Sequence, residues 1–306
     1  MPGVQVHLLS RFEVQRDGQT IPGLEARKVQ ELFCYLLLFR AKPHSRELLA
    51  SCLWGDNSTS KSKKYLRQAL WQLQSALDSD QNERILLLER EWVQLNPSVY
   101  VWLDIAEFER SIQDVQGIPG IELNQDQVSS LTEGVHLYRG DLLEGCFQDW
   151  CIFERERLQQ LYLQGLDKLM SFCETNGAYE QGLQYGRCIL RVDRARERTH
   201  RRLMRLYALA GDRTSALRQY EQLCATLRDE LGVKPARQSM ALHRQIEDDQ
   251  LVQSKSYPDS YHEIDVPRPT LKILKNLKRL QKFLGDFQHE VQDNIDSIEQ
   301  TLDDDR

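Results

Sequence analysis

The chain has 306 residues, 41% hydrophobic and 28% charged, with a formal net charge of −6. That length allows two or three domains, and the composition suits packed cores rather than a disordered or fibrous chain. No run of about 18 apolar residues offers a membrane span, and the start, MPGVQVHLLSRFEVQ, lacks the basic and apolar segments of a secretory signal. The seven cysteines are odd in number and show no framework spacing. They fit small core residues in a reducing cytosol rather than disulfides or a zinc site, so the expected location is cytoplasmic.

The acidity is uneven. Residues 1–96 hold 13 Lys and Arg against 11 Asp and Glu, while the remainder holds 27 against 35. Residues 57–77 carry four cations and no acid. A local positive field decides what docks there, whatever the total charge.

In chain order, Val4, Val6 and Leu8 alternate, followed by Phe12 and Val14, a turn at residues 16–19, and a return at Thr20 and Ile21. That pattern predicts a small antiparallel sheet with a hairpin. Residues 25–40 predict a helix with an apolar stripe at Val29, Leu32, Phe33, Leu36 and Leu37, ended by Pro43. Ser45 is placed as an N-cap for a second helix with Leu48, Leu49, Cys52 and Leu53 on its apolar face, closed by Trp54. Gly55, Asp56 and Asn57 are turn residues.

A third helix runs over 58–77, with Leu66, Ala69, Leu70, Leu73 and Leu77 at three- and four-residue steps. Its other face carries Lys61, Lys63, Lys64, Arg67, Gln68 and Gln72. Such a face suits a major groove, where cations hold phosphates and Arg or Gln reaches base edges. Taken alone, a basic face on an amphipathic helix is usually just a solvated face, and it is the context that favours DNA. Lys61, Lys63, Lys64 and Arg67 are the phosphate and base candidates, and Gln68 and Gln72 the adenine readers. Trp71 is expected in the core rather than against a base. Residues 84–88 and 92–95 then bracket Glu89-Arg90-Glu91 as a hairpin. Sheet, three helices and a terminal hairpin is the order of a winged helix-turn-helix, an α+β fold, over residues 1–100. Arg84 and Arg90 would put the hairpin wing on the minor groove or backbone.

The motifs ARKVQELFCYLLL, SRELLASCLWGD and YLRQALWQLQSAL, followed by the hairpin and by Asp104 before Phe108, resemble the OmpR-type winged helix of the Streptomyces antibiotic regulatory proteins. YRGDLLEG (138–145), Trp150, RERL (155–158), LMRLYALAGDRTSALRQYEQL (203–223) and LRDELGVKP (227–235) resemble the bacterial transcriptional activator domain that follows it in that family. The resemblance spans about residues 3–248. It implies a DNA-binding transcriptional regulator, an activator, with the connection at residues 55–58 facing RNA polymerase. It also implies a helical domain that supports dimer, polymerase or sigma-factor contacts. The chain departs from the family at Asp193-Arg194, where Asp-Pro is common, and at Gly182, where a helical Ala is common.

Periodicity alone marks helices over 126–138, 150–175, 178–192, 196–210 and 213–231, within an all-α domain at 101–250. Gly177, Gly211 and Gly232 stand at their ends. Tyr207, Ala216, Tyr220 and Leu223 occupy relative positions 11, 20, 24 and 27 of a tetratricopeptide unit, where paired helices interlock. In the degenerate preceding unit, Gly182 and Gly186 lie 34 residues before Ala216 and Tyr220. Tyr162, Tyr179, Tyr185, Tyr207 and Tyr220 are expected to pack between helices rather than form a ligand cage.

Residues 251–269, with three prolines, read as a linker. A C-terminal coiled-coil-like helix is expected at 270–306, with Leu277, Leu284, Val291 and Ile298 seven apart and Asn294 as a polar break. Five cations and no acid at 270–283 precede eight acids and one Arg at 284–306. This segregation suits antiparallel self-pairing, as a homodimer, or docking on an acidic partner protein; folding back onto the helical domain is the other reading. No P-loop, HExxH, GxSxG or CxxC motif is present, and the seven His are dispersed. Neither a cofactor nor enzymatic activity is expected. The competing class is a protein-interaction scaffold or adaptor built on the helical domain and tail.

Overall fold

The computed structural model describes residues 3–78 and 84–250. The linker at 251–269 and the heptad helix at 270–306 lie outside the described residues. Alternating valines form β1 (Val4–His7) and β2 (Glu13–Arg16), antiparallel with Val6 opposite Val14. Asp17 and Gly18 both take positive φ in the turn to β3 (Gln19–Thr20), as a tight hairpin turn demands. The apolar stripe of α1 (Arg27–Leu38) is buried at Val29, Leu32, Phe33, Leu36 and Leu37.

After β4 (His44–Ser45) comes α2 (Arg46–Trp54), and the Ser45 hydroxyl accepts from the Leu48 amide at 3.1 Å, the cap expected there. Leu48 itself is a correction. Its side chain is exposed, and α2 buries Leu49, Ala50, Leu53 and Trp54 instead. The nine-residue helix is too short to bury more than one narrow face, and Leu48 lies off it. Then follow α3 (Thr59–Leu77), β5 (Leu86–Leu88) and β6 (Trp92–Leu95). The hairpin recruits β4, giving a three-stranded sheet in the order β4-β6-β5.

Two elements at the join are not among those expected above, although Ile105, Phe108 and Ile112 give the second a helical apolar stripe. β7 (Val101–Leu103) pairs parallel with β1 and completes the first sheet, and α4 (Asp104–Gln113) leaves directly from it. The buried Asp104 carboxylate accepts from the Leu8 and Leu9 amides at 2.8 and 2.9 Å and from the Ile105 amide at 2.7 Å. Burial pushes its pKa up even though those three donors act the other way.

The helical half contains α5 (Gln125–Leu137), α6 (Asp149–Thr175), α7 (Tyr179–Val192), α8 (Glu197–Leu209), α9 (Arg213–Leu231) and α10 (Arg237–Glu247). Periodicity predicts all but the last within a residue or two. Gly177, Gly211 and Gly232 take φ of 72°, 82° and 66° at helix ends. Ala216 and Leu223 are buried, while Tyr207 and Tyr220 pack half-buried beside them. Arg202 of α8 reaches across to α6, where it donates to Asp167 at 2.7 Å, Glu174 at 3.0 Å and Ser171 at 2.9 Å. One apolar core runs without a break from Val4 to Leu206.

Candidate nucleic-acid interface

The candidate surface is built on α3, whose sequence divides cleanly by side. Ser62, Leu66, Ala69, Leu70, Leu73 and Leu77 are buried. Sequence reasoning misses Ser62. Its hydroxyl donates to the Trp54 carbonyl at 2.9 Å, within reach of Ser58 O at 3.2 Å, and so fixes the turn from α2 into α3. The polar stripe opposite it gives no hint, because a lone serine in a helix reads as surface.

Lys61, Lys63, Lys64, Arg67 and Gln68 all lie exposed. No acid occurs within α3. Lys63 is engaged: its ammonium sits 2.6 Å from Glu47 at the start of α2, and it holds that carboxylate below its ordinary range. Both groups are exposed, so the pair costs little to open. Gln72 is half-buried, and its amide donates to the Gly23 carbonyl at 3.0 Å. A two-point adenine contact uses both the oxygen and the amide of the side chain. Gln68 has that freedom, whereas Gln72 would have to release the Gly23 loop first.

Trp71 reverses an expectation. Its side chain is 69% exposed on α3 rather than buried. The reason is angular. Leu66, Leu70, Leu73 and Leu77 already fill the inward stripe, and a residue next to Leu70 is turned about 100° away from it.

Backbone bonds to α2 steady the wing. The Arg46 amide donates to Glu91 O at 2.9 Å and its guanidinium to Glu89 O at 3.0 Å, while Glu89 N bonds Trp92 O at 2.9 Å. Arg90 is exposed at the tip, flanked by Glu89 and Glu91, and Arg84 is exposed at the base, where its carbonyl accepts from Asn96. The two arginines are six residues apart, on the order of 20 Å of extended chain. They are therefore not brought to one point.

The helical half grips the winged helix from behind. The Gln148 side chain donates to Leu53 O at 3.1 Å, Arg27 donates to Gly145 O, and Trp150 meets Tyr35 edge-on at 5.3 Å between centroids. Arg155 gathers the carbonyls of Leu142, Leu143 and Cys146 and shapes the loop that docks. The expected packing tyrosines behave so: Tyr162 stacks on Tyr138 at 4.3 Å, and Tyr220 on His243 at 4.0 Å. Cys34, Cys146, Cys151 and Cys173 are buried free thiols. Among the described residues, no group of His, Cys, Asp and Glu could hold a metal ion, and no helix is long and apolar enough to cross a membrane.

Residues 103–247 match the family model of the bacterial transcriptional activator domain. No curated protein matches the chain. Among solved structures, the chain is similar to Mycobacterium tuberculosis EmbR in complex with a low-affinity phosphopeptide. The identity is 17% and the TM-score 0.64, over 82% of this chain and 67% of that one. At that identity the likeness is one of fold. Together the two comparisons bear out the resemblance to regulators of the Streptomyces antibiotic regulatory protein type: an α+β front, then a helical activator domain.

Proposed function

We propose, on the premise that residues 103–247 belong to the bacterial transcriptional activator domain family, that this chain is a sequence-specific DNA-binding activator that recruits RNA polymerase. The carrying observation is the outer face of α3. It presents Lys61, Lys64, Arg67 and Gln68 to solvent with no acid in the helix, while the opposite face seals the core. In this reading α3 enters the major groove, with its cations on phosphates and Arg67 and Gln68 within reach of base edges. Arg84 and Arg90 lay the wing along the backbone. The acidic helical half stays off the duplex and contacts RNA polymerase or a sigma factor, in the cytoplasm.

Gel shift on random duplex at low salt tests the first step. Replacing Lys61, Lys63, Lys64 and Arg67 together by Ala abolishes binding. Replacing them in smaller sets lowers the log–log salt slope by about one for each phosphate no longer neutralised. Retained binding by the quadruple variant would eliminate α3 as the reader.

A second reading, the interaction scaffold, draws support from Phe147 and Phe153, both exposed at the front of the helical half. Large exposed aromatics fit a protein partner. Residues 270–306 would supply a homodimer or partner contact. Light scattering of the chain with and without those residues decides whether they set the oligomer.

A further inference from the structure

Trp71 is a large exposed side chain on the outer face of α3 that the proposed function leaves without a task. At about 100° and 1.5 Å per residue, it lies within about 20° of Lys64, seven residues earlier, and about 10.5 Å further along the axis. Arg67 flanks it by about 40° on one side and Gln68 by about 60° on the other. The indole therefore shares the angular centre of the cationic face, stands about 6 Å beyond Arg67, its last cation, along the axis, and is 69% exposed. Among the described residues it has no ring or hydrogen-bond partner. A single exposed apolar side chain is ordinary on a protein surface. A large flat one, on the same side of the helix as the cations and one turn beyond Arg67 and Gln68, is placed where it can read.

Resting on the DNA-binding reading above, we propose that Trp71 is a specificity-determining residue whose ring packs against the C5-methyl of a thymine in the major groove. The methyl is the one apolar group that base edges display there. Arg67 and Gln68, on the preceding turn, meet the neighbouring bases or phosphates and hold the helix deep enough for ring and methyl to touch. The indole has a second option, its N–H donated to a phosphate, which would position the helix without reading sequence.

The test uses the full chain. A tight-binding duplex is first selected from a random pool. Wild type, Trp71→Ala and Trp71→Phe are then titrated against that duplex and against versions with each thymine in turn replaced by deoxyuridine. For wild type, one such replacement weakens binding about threefold to fivefold, the scale of burying a single methyl. Trp71→Phe, which keeps a ring but no N–H, retains most of that discrimination. Trp71→Ala binds the parent duplex at least as weakly as wild type binds the uracil version, and it shows no further loss at that base. The proposal is overturned if Trp71→Ala binds like wild type. It is also overturned if Trp71→Ala is weakened while no uracil position matters to wild type, the mark of a phosphate contact. If no duplex is enriched, the DNA-binding reading fails first and takes this one with it; an enriched duplex indifferent to Trp71 sinks this one alone.

Discussion

Gly186 of α7 lies so close to α8 that an added Cβ would sit 2.5 Å from Leu203 Cδ2, 2.9 Å from Leu203 Cγ and 3.0 Å from Met170 Cε. Gly182, one turn earlier, is roomier, with Leu206 Cδ1 at 3.0 Å and Cys173 Cβ at 3.2 Å. Either Ala gains about 1 kcal/mol of helix propensity over Gly. At 186 a branched, fully buried side chain must move, a clash of about 1–3 kcal/mol, whereas at 182 a shift of a few tenths of an ångström suffices. Gly186→Ala is therefore expected to lower urea stability while Gly182→Ala stays near neutral; equal losses would contradict the packing argument. His200 offers a pH handle. Its Nε2 lies 2.9 Å from Arg194 O and its Nδ1 2.8 Å from the Gln219 amide, so Nε2 donates, Nδ1 accepts, and the neutral ring fits. Burial holds its pKa below the ordinary 6.5. Well above 6.5 the ring is neutral in both the folded and the unfolded chain. As pH falls toward the depressed value, the unfolded chain takes up a proton that the folded one refuses, and stability is lost. Melting at about pH 5.5 should come earlier than at about pH 7.5, and His200→Gln, which can donate to Arg194 and accept from Gln219, should shrink the difference.

Helix caps separate two serines that look alike in sequence. Ser45 accepts from the Leu48 amide, while Ser58 makes no side-chain cap bond at the start of α3, where Ser62 ties the turn instead. Ser45→Ala is expected to cost about 1 kcal/mol by thermal melt, and Ser58→Ala no more than a few tenths. A Ser58→Ala loss as large as that at Ser45 would mean that the cap is misplaced. Elements with a period of their own are legible in sequence: α1, α3 and α5 through α9 announce themselves because one face must be apolar every three or four residues. β7 is not legible. Three residues are too few to show alternation, and their partner, β1, lies almost a hundred residues away. The short β4 is hidden for the same reason, its two residues gaining definition only against Val93 and Trp92. On the candidate surface, spacing alone places the cations. It cannot place the internal engagements of Lys63 and Gln72, since Glu47 and Gly23 reach them through tertiary packing. At Trp71 residue type argues for burial and helical angle for exposure; one step past Leu70, the angle prevails.

At the scale of the whole molecule, the winged helix does not close its own sheet. On the side away from β2, β1 pairs with β7, and the Leu8 and Leu9 amides end on the Asp104 carboxylate, which lies beyond residue 100. Ile105 and Phe108 of α4 are fully buried in the same continuous core as Val6 and Phe33. Cutting at 100 thus removes a sheet neighbour, an acceptor shared by two buried amides, and two large apolar anchors. Each buried amide left without a partner costs about 1–3 kcal/mol, and each anchor about 1.5–3 kcal/mol in forfeited burial. Those losses are comparable to the roughly 5–15 kcal/mol that holds an ordinary domain together. A fragment of residues 1–100 is therefore expected to lack a cooperative thermal transition by near-UV circular dichroism, whereas residues 1–250 melt cooperatively. If the short fragment melted as sharply and as late as the long one, the shared core would be a contact between finished domains and not a condition of folding. If it fails to fold, the DNA-facing module depends for its shape on the first residues of the activator domain. Changes in that domain would then reach α3 through β7 and Asp104 without any direct contact between the acidic helices and the duplex.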